Sequence, residues 1–331
     1  MMKKTDLITG MLGAGKTTFI TTYARHMAEK RGPVCLIAND YGAISVDRAL
    51  LEEKIGDLCD IEMVVAGDPD CQRRRFRTKL ISMGMLGYER VIVEPSGVFD
   101  TEEFYNILYD DPISSWYEIG NVISIVPADI PEELPESSEY LLADQAATAG
   151  LIVVSKVHDK DIRDIPGTVE RIRRRLQRAG DKFHCTRDFL KAPVLVRKWE
   201  DFTEEDWEKI EHAGRVSADM VRMHFAEDGS FQSLFYFHVN RSEADMRALA
   251  AELLSNRDRF GQVIRIKGFF HDTETNAWMS LNATAEKTEI RPSATKKDDR
   301  EEVIIVVGGQ MNEKAIGEAF GETRSVTDYS I

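Results

Sequence analysis

Gly10-Met11-Leu12-Gly13-Ala14-Gly15-Lys16-Thr17 is the stretch on which the reading of this chain turns. It has the form G-x-x-x-x-G-K-[ST], a loop that cradles phosphate. Glycines let backbone N–H groups curl around an anion without interference from Cβ atoms. Lys16 can reach the β- and γ-phosphates of a nucleotide, and the Thr17 hydroxyl can ligate Mg²⁺. Gly10, Gly13, Ala14, Gly15 and Thr18 complete the expected cradle, and the helix that follows points its N-terminus at the anion. Leu7-Ile8-Thr9 reads as the strand before the loop and residues 16–30 as the helix after it. The alternative is a glycine-rich turn that happens to end in lysine.

Outward from the loop, short apolar runs alternate with helical stretches. Val34-Cys35-Leu36-Ile37-Ala38, Val91-Ile92-Val93, Val122-Ile123-Ser124-Ile125-Val126 and Leu151-Ile152-Val153-Val154 lack polar alternation. Strands covered on both faces look like this. Helices are expected over 16–30, 71–86, 101–109 and 167–179, with a polar helix in 201–212. Residues 127–139, rich in Pro, Glu and Ser, read as a surface excursion. Beyond residue 229 the pattern changes. Strands are expected over 231–239, 263–269, 278–282 and 303–307. Ser242 with Asp245 reads as a capping box before Met246, Leu249, Leu253 and Leu254, residues 294–302 as a loop, and 315–320 as a closing helix. The expected fold is α/β: a P-loop domain with a mostly parallel sheet over residues 1–215, then a smaller α+β domain over 216–331.

Composition narrows the class. The chain has 331 residues, with 43 Lys+Arg against 57 Asp+Glu and a formal charge of −14. That balance opposes a general nucleic-acid binder. Cys35, Cys59, Cys71 and Cys185 are too few and scattered for a disulfide scaffold, so reduced thiols in the cytoplasm are expected. The MMKK start is followed by a run broken at Asp6 and Lys16, which does not fit a secretory signal. No run approaches the ~20 apolar residues of a membrane span.

Two further stretches suit a phosphate-binding site. Asn39-Asp40-Tyr41-Gly42 follows the second strand and suits a switch loop in which Asp40 approaches Mg²⁺. Glu94-Pro95-Ser96-Gly97 ends the Val91-Ile92-Val93 run. Glu94 is placed like an acid beside Mg²⁺ or the attacking water, and the Gly97 amide could meet the γ-phosphate. Both stretches are also ordinary turn sequences.

Taken together these pieces resemble the CobW-type family of P-loop GTPases, relatives of the nickel-insertion GTPases HypB and UreG. Ile8 through Thr18 is similar to the family's I-T-G-F-L-G-A-G-K-T-T. Asn39-Asp40-Tyr41-Gly42 looks like N-E-F-G, and Val93-Glu94-Pro95-Ser96-Gly97 like I-E-x-S-G. Gly261-Gln262-Val263-Ile264-Arg265-Ile266-Lys267-Gly268 resembles L-G-D-V-x-R-x-K-G, and Ile305-Val306-Val307-Gly308 the final strand and turn. The resemblance implies a GTP-hydrolysing metallochaperone or metalloenzyme activator. It implies Lys16, Glu94 and Asp40 at the reaction centre and Mg²⁺ on Thr17, Asp40 and Glu94. The implied partner is a metalloenzyme or another cofactor-dependent client, and a homo-oligomer is compatible with it. Neither nucleic acid nor membrane is expected.

The sequence departs from the family pattern twice. The C-x-C-C metal motif corresponds here to Gly67-Asp68-Pro69-Asp70-Cys71. Asp68, Asp70 and Cys71 could hold a second ion such as Zn²⁺ or Co²⁺ with lower selectivity. In the other reading that site is lost, Asp68-Pro69 begins a helix, and Cys71 is a small buried residue. The N-K-x-D element that grips guanine corresponds to Ser155-Lys156-Val157-His158, with Asp159 one residue late. Lys156 can lay its stem along a base. Asp159 could replace the missing carboxylate only if the loop were longer by one, so GTP is favoured but ATP stays open. Two rival functions remain: a nucleotide-gated interaction protein without metal cargo, and a small-molecule P-loop kinase. The run Arg73-Arg74-Arg75-Phe76-Arg77-Thr78-Lys79 fits a partner-docking face or a solvated helix face. His184 and Cys185, read as neighbours on a strand, would point to opposite faces and not chelate one ion. His238 and His271 have no assigned role.

Overall fold

The computed structural model describes residues 2–11, 13–40, 46–65, 69–95, 101–221, 232–285, 287–293 and 302–321. The chain forms two compact units, Met1–Asp40 with Lys54–His224 and Tyr41–Glu53 with Phe225–Ile331.

The elements up to the end of the first unit are β1 (Lys3–Thr9), α1 (Lys16–Arg31), β2 (Val34–Asp40), α2 (Val46–Ile55), β3 (Cys59–Val65), α3 (Pro69–Leu86), β4 (Arg90–Glu94), α4 (Thr101–Tyr109), β5 (Tyr117–Pro127), α5 (Glu136–Ala147), β6 (Leu151–Ser155), α6 (Asp159–Arg163), α7 (Ile165–Lys182), β7 (Val194–Val196) and α8 (Glu204–Glu211). The seven strands pair in parallel in the order β3-β2-β4-β1-β5-β6-β7. Successive residues of β2, Val34 to Ala38, are all buried, so both sheet faces are covered, as the unalternating runs imply. Leu7, Cys35, Ile37, Val91 and Val93 pack with Phe76, Leu80 and Phe104. Helix α1 buries Phe19, Ile20, Tyr23, Ala24 and Met27, the 3- and 4-residue spacing of one helix face.

Asp6 stands fully buried in the middle of β1. An isolated carboxylate there would be costly. It is met by the Tyr23 hydroxyl at 2.8 Å, the Arg90 guanidinium at 2.5 and 2.7 Å, and the Asn121 N–H at 2.7 Å. Burial, and then the adjacent Asp6 charge, push the Tyr23 phenol well above its ordinary value. Asn121 extends this network to the Glu211 carbonyl at 3.0 Å. Four elements, β1, α1, β4 and β5, are thereby tied together behind the phosphate loop.

Several expectations need correction. Residues 127–139 are not wholly a surface excursion, because α5 begins at Glu136 and Glu139 is 1% exposed. This helix is buried nearly all round, with Ser138, Glu139, Asp144 and Gln145 inside, so it shows no amphipathic stripe to read. Strand β3 lies at the sheet edge and alternates with Asp60 and Glu62, which masked it as polar; Glu62 pairs with Lys79 at 2.5 Å. Helix α2 and the three-residue β7 also have no counterpart in the sequence reading. His184 and Cys185 are not on a strand: they lie in the turn after α7, where His184 has φ 53°.

The second unit contains β8 (Gln232–Phe237), β9 (Asn240–Arg241), α9 (Glu243–Ser255), α10 (Arg257–Phe260), β10 (Gln262–Asp272), β11 (Trp278–Ala283), β12 (Thr288–Pro292), β13 (Val303–Gly309) and α11 (Glu313–Phe320). The antiparallel order is β12-β11-β10-β13-β8, with β9 pairing β10 in parallel. Leu234, Tyr236, Phe270, Ile304 and Val306 of the sheet bury against Met246, Leu253, Phe260, Ile316 and Phe320 of the helices, an α+β layer pair as expected. Ser242 caps α9 by accepting the Asp245 N–H at 3.1 Å, one half of the expected box.

Candidate nucleotide site

The loop after β1 is built around conformations that only glycine adopts easily. Gly10 has φ 144°, and a Cβ there would lie 2.6 Å from the Ile125 carbonyl oxygen of β5. The chain therefore leaves β1 pressed against its neighbour and turns back at once. The Ala14 N–H bonds the Met11 carbonyl at 3.0 Å and closes the turn. Lys16 is 7% exposed, and its ammonium donates to the carbonyls of Gly10 at 2.7 Å and Met11 at 3.3 Å. The lysine charge is thus held inside the loop. Gly15 precedes α1 in the left-handed region; no side chain caps this helix and its first turn holds no acid. The N-terminus of a sixteen-residue helix is left to attract an anion.

Strand β4 lies beside β1 with Leu7 opposite Val93, so the next residue, Glu94, ends level with the loop. Glu94 is 8% exposed and accepts a hydrogen bond from Thr17 Oγ1 at 3.0 Å. A hydroxyl and a carboxylate converging this closely are hard oxygen donors of the kind Mg²⁺ prefers, and they fit that ion. Ala38 of β2 stands opposite Glu94, which brings the backbone of Asp40, two residues on, to the same sheet edge. The Asp40 side chain lies outside the described residues, as do Gly97 and Asp68. Asp70 and Cys71 lie in the first turn of α3, which starts at Pro69; their side chains are also outside the described residues.

On the other side of the loop stand β6 and the turn after β7. Ser155, fully buried, ends β6; a Cβ on Gly15 would lie 3.7 Å from its Cβ. Among the described residues the enclosed Ser155 hydroxyl finds no hydrogen-bond partner. Lys156 follows with φ 52°, and α6 begins at Asp159. His158 and Asp159 are both exposed. Asp159 Oδ1 accepts from Lys198 Nζ at 2.8 Å, and that bond, with the lysine charge, holds its pKa below the usual value. Trp199 went unnoticed in the sequence. Its ring would lie 3.2 Å from a Gly15 Cβ, meets Phe19 edge-on at 5.5 Å, and its Nε1 donates to the Val154 carbonyl at 3.3 Å. The only signal for it was a tryptophan just after the short run Val194-Leu195-Val196.

The basic run on α3 is a partnered face. Arg73 pairs with Asp110 at 2.9 Å, Arg77 donates to the Asp111 carbonyl, Lys79 pairs with Glu62, and Phe76 turns into the core. No group of three or more His, Cys, Asp or Glu among the described residues is arranged to hold a metal. No helix among the described residues is long and apolar enough to cross a membrane.

Comparison with known proteins bears on this site. The family model for the CobW/HypB/UreG nucleotide-binding domain matches residues 4–183, and that for the cobalamin synthesis protein CobW C-terminal domain matches residues 236–324. The zinc chaperone YeiR of Escherichia coli (strain K12) is 26% identical over 159 residues, 47% of each chain. The zinc chaperone YjiA of the same organism is 27% identical over 184 residues, covering 52% of this chain and 53% of that one. The chain spans about half the length of these curated relatives. Among solved structures, Zn(II)-bound YjiA GTPase from E. coli is similar over 98% of this chain and 99% of that one, at 18% identity and a TM-score of 0.41.

Proposed function

The chain belongs to the CobW/HypB/UreG family of P-loop proteins, and from that premise we propose that it is a GTP-hydrolysing metallochaperone or metalloenzyme activator working in the cytoplasm. The observation that carries this reading is the Thr17–Glu94 contact at 3.0 Å beside a lysine held within the phosphate loop. In this reading Lys16 leaves its two carbonyl partners for the β- and γ-phosphates, and the open N-terminus of α1 faces the same oxygens. Thr17 and Glu94, joined by Asp40 from the end of β2, would hold Mg²⁺, which when bound neutralises charge on the phosphate oxygens. Glu94 would also orient the attacking water, and the Gly97 amide would register the γ-phosphate. Positioning and charge stabilisation of this kind suffice for phosphoanhydride hydrolysis.

Residues 1–215 would form the nucleotide domain and 216–331 the client domain. Hydrolysis would reset a switch between nucleotide states. The cargo in this proposal is a divalent transition ion, Zn²⁺ or Co²⁺, on Asp68, Asp70 and Cys71. The names of the two zinc-chaperone relatives support zinc. The test is chelator competition for Zn²⁺ and Co²⁺ on the reduced protein, with Mg²⁺ alone, Mg²⁺·GDP and a non-hydrolysable Mg²⁺·GTP analogue. Tight binding that shifts with nucleotide and is lost in Cys71→Ser is the expected result, because coupling between sites must appear as a change in affinity. Weak binding indifferent to nucleotide and to Cys71 removes the metal cargo. Unchanged phosphate release in Lys16→Ala removes the hydrolase as well.

A further inference from the structure

We propose that Trp199 is a positioning residue for the phosphate loop, holding the junction of Gly15 and α1 in the form that takes a phosphate; the inference rests on the nucleotide-binding reading above. The junction has little of its own to hold it. Gly15 sits at φ 97° and ψ 15°, and no side chain caps the helix behind it. A residue without Cβ moves between backbone conformations more freely than any other. The Gly15 carbonyl accepts from the N–H groups of Thr18 and Phe19, both at 3.1 Å, and these bonds open α1. Whatever turns Gly15 therefore also turns the first N–H groups of the helix, which have no partner within it and suit an anion.

Trp199 touches both partners of the Phe19–Gly15 bond. Its Cη2 and Cζ3 atoms would lie 3.2 and 3.9 Å from a Cβ on Gly15, so the far edge of the indole fills the space over the glycine. The same ring meets Phe19 edge-on with centroids 5.5 Å apart, and Phe19 is fully buried. The indole is itself fixed. Its Nε1 donates to the Val154 carbonyl of β6 at 3.3 Å, and Val154 pairs with Val196 of β7, just before Trp199 in the chain. The ring thus ties the start of α1 to the sheet from outside the loop. The same stretch of chain grips the other end of α1, where Glu211 of α8 meets His26, Lys30 and Arg31 and Trp207 stacks on His26. The helix has sixteen residues and is therefore about 24 Å long, so the two grips act at different places. Loss of the Glu211 grip weakens the fold, whereas loss of the indole frees the junction at the loop.

The experiment measures the affinity of the full chain, with Mg²⁺, for non-hydrolysable GTP and ATP analogues by competition against a fluorescent nucleotide. Trp199→Phe keeps a ring for Phe19 but is too short to reach Gly15, and Trp199→Leu fills the same space without a ring. Glu211→Gln is the control for helix stability. A displacement of about 1 Å in a positioning group can cost about 10². Each Trp199 variant, shown folded by circular dichroism, should therefore lose about tenfold or more in affinity for whichever analogue wild type binds, and Glu211→Gln less than about threefold. The emission difference between wild type and Trp199→Phe should also change at saturating nucleotide, because the indole lies against the loop that the phosphates enter. A loss below about tenfold in a folded Trp199 variant overturns the inference. So does an equal loss in Glu211→Gln, or a difference emission indifferent to nucleotide. In each of these cases wild type still binds nucleotide and that reading stands. If wild type binds neither analogue, the nucleotide reading itself falls and takes this inference with it.

Discussion

Replacing Glu211 with glutamine removes the charge that ties α8 to the far end of the phosphate-loop helix. The Glu211 side chain is 2% exposed and is met by His26 Nε2 at 2.8 Å, Lys30 Nζ at 2.6 Å and an Arg31 nitrogen at 3.0 Å. His26 in turn stacks on Trp207 of α8 with ring centroids 3.8 Å apart. Burial alone would raise the pKa of this carboxyl, but the hydrogen bonds from His26, Lys30 and Arg31 outweigh it and hold the value down to about 2. At about 1.4 kcal/mol per unit, a fall from 4.5 to about 2 sets an upper bound of about 3.5 kcal/mol. Lys30 and Arg31 are about half exposed, so solvent screening reduces the expected contribution to about 1–2 kcal/mol. The folded pKa lies below the unfolded one, so the stabilisation is complete above about pH 4.5 and declines as pH falls toward 2. Urea unfolding of wild type and Glu211→Gln at pH 7 should differ by about 1–2 kcal/mol, and by less than half of that near pH 3. A gap that is absent at pH 7, or that stays constant down to pH 3, would refute the argument.

Other substitutions separate backbone geometry from charge. Gly10→Ala should cost about 2–4 kcal/mol in denaturant titration and abolish nucleotide binding, because it combines a positive φ with a clash on a β5 carbonyl. Gly13→Ala also has positive φ, 77°, but meets nothing within 4 Å, so about 1 kcal/mol is expected by the same titration. Glu139→Ala leaves Arg175, 2% exposed, without the two bonds it makes at 2.7 and 2.9 Å and should cost about 3–5 kcal/mol. The double variant Glu139→Leu with Arg175→Met should recover most of that loss in the same unfolding assay.

How much of this was legible in the sequence depended on where each element buries its side chains. Strands β2, β4, β5 and β6 are covered on both faces and appeared as apolar runs without polar alternation, whereas only Leu7-Ile8-Thr9 of β1 read as strand because Lys3, Lys4, Thr5 and Asp6 precede it. Strand β3 at the edge carries Asp60 and Glu62 and did not. Helix α5 was lost for the opposite reason: its polar residues are inside, satisfied by partners distant in sequence, such as Arg175 on Glu139 and Thr101 on Asp144. The phosphate loop was readable because its chemistry is local, eight residues making one turn. The contact between Thr17 and Glu94 spans 77 positions and depends on β4 lying next to β1, a pairing that no spacing reveals. Trp199 was invisible for the same reason, since its place against Gly15 is set by the sheet order.

The two ends of the candidate site rest on different supports, and this bears on what can vary. Behind the phosphate loop lies the Asp6–Tyr23–Arg90–Asn121 network, buried except for the partly exposed Arg90 and shared by β1, α1, β4 and β5. A change in any of those four groups leaves a buried polar atom unpaired, a penalty of about 1–3 kcal/mol or more. The turn after β6 is held differently. Ser155 and Asp161 are buried there, and Asp161 accepts the His158 N–H where α6 starts. The Lys198–Asp159 pair is at the surface, with the aspartate 75% exposed, where such pairs contribute little to stability. His158 is exposed as well. Residues 158, 159 and 198 can therefore change with little effect on stability, while Gly10 and the Asp6 network cannot.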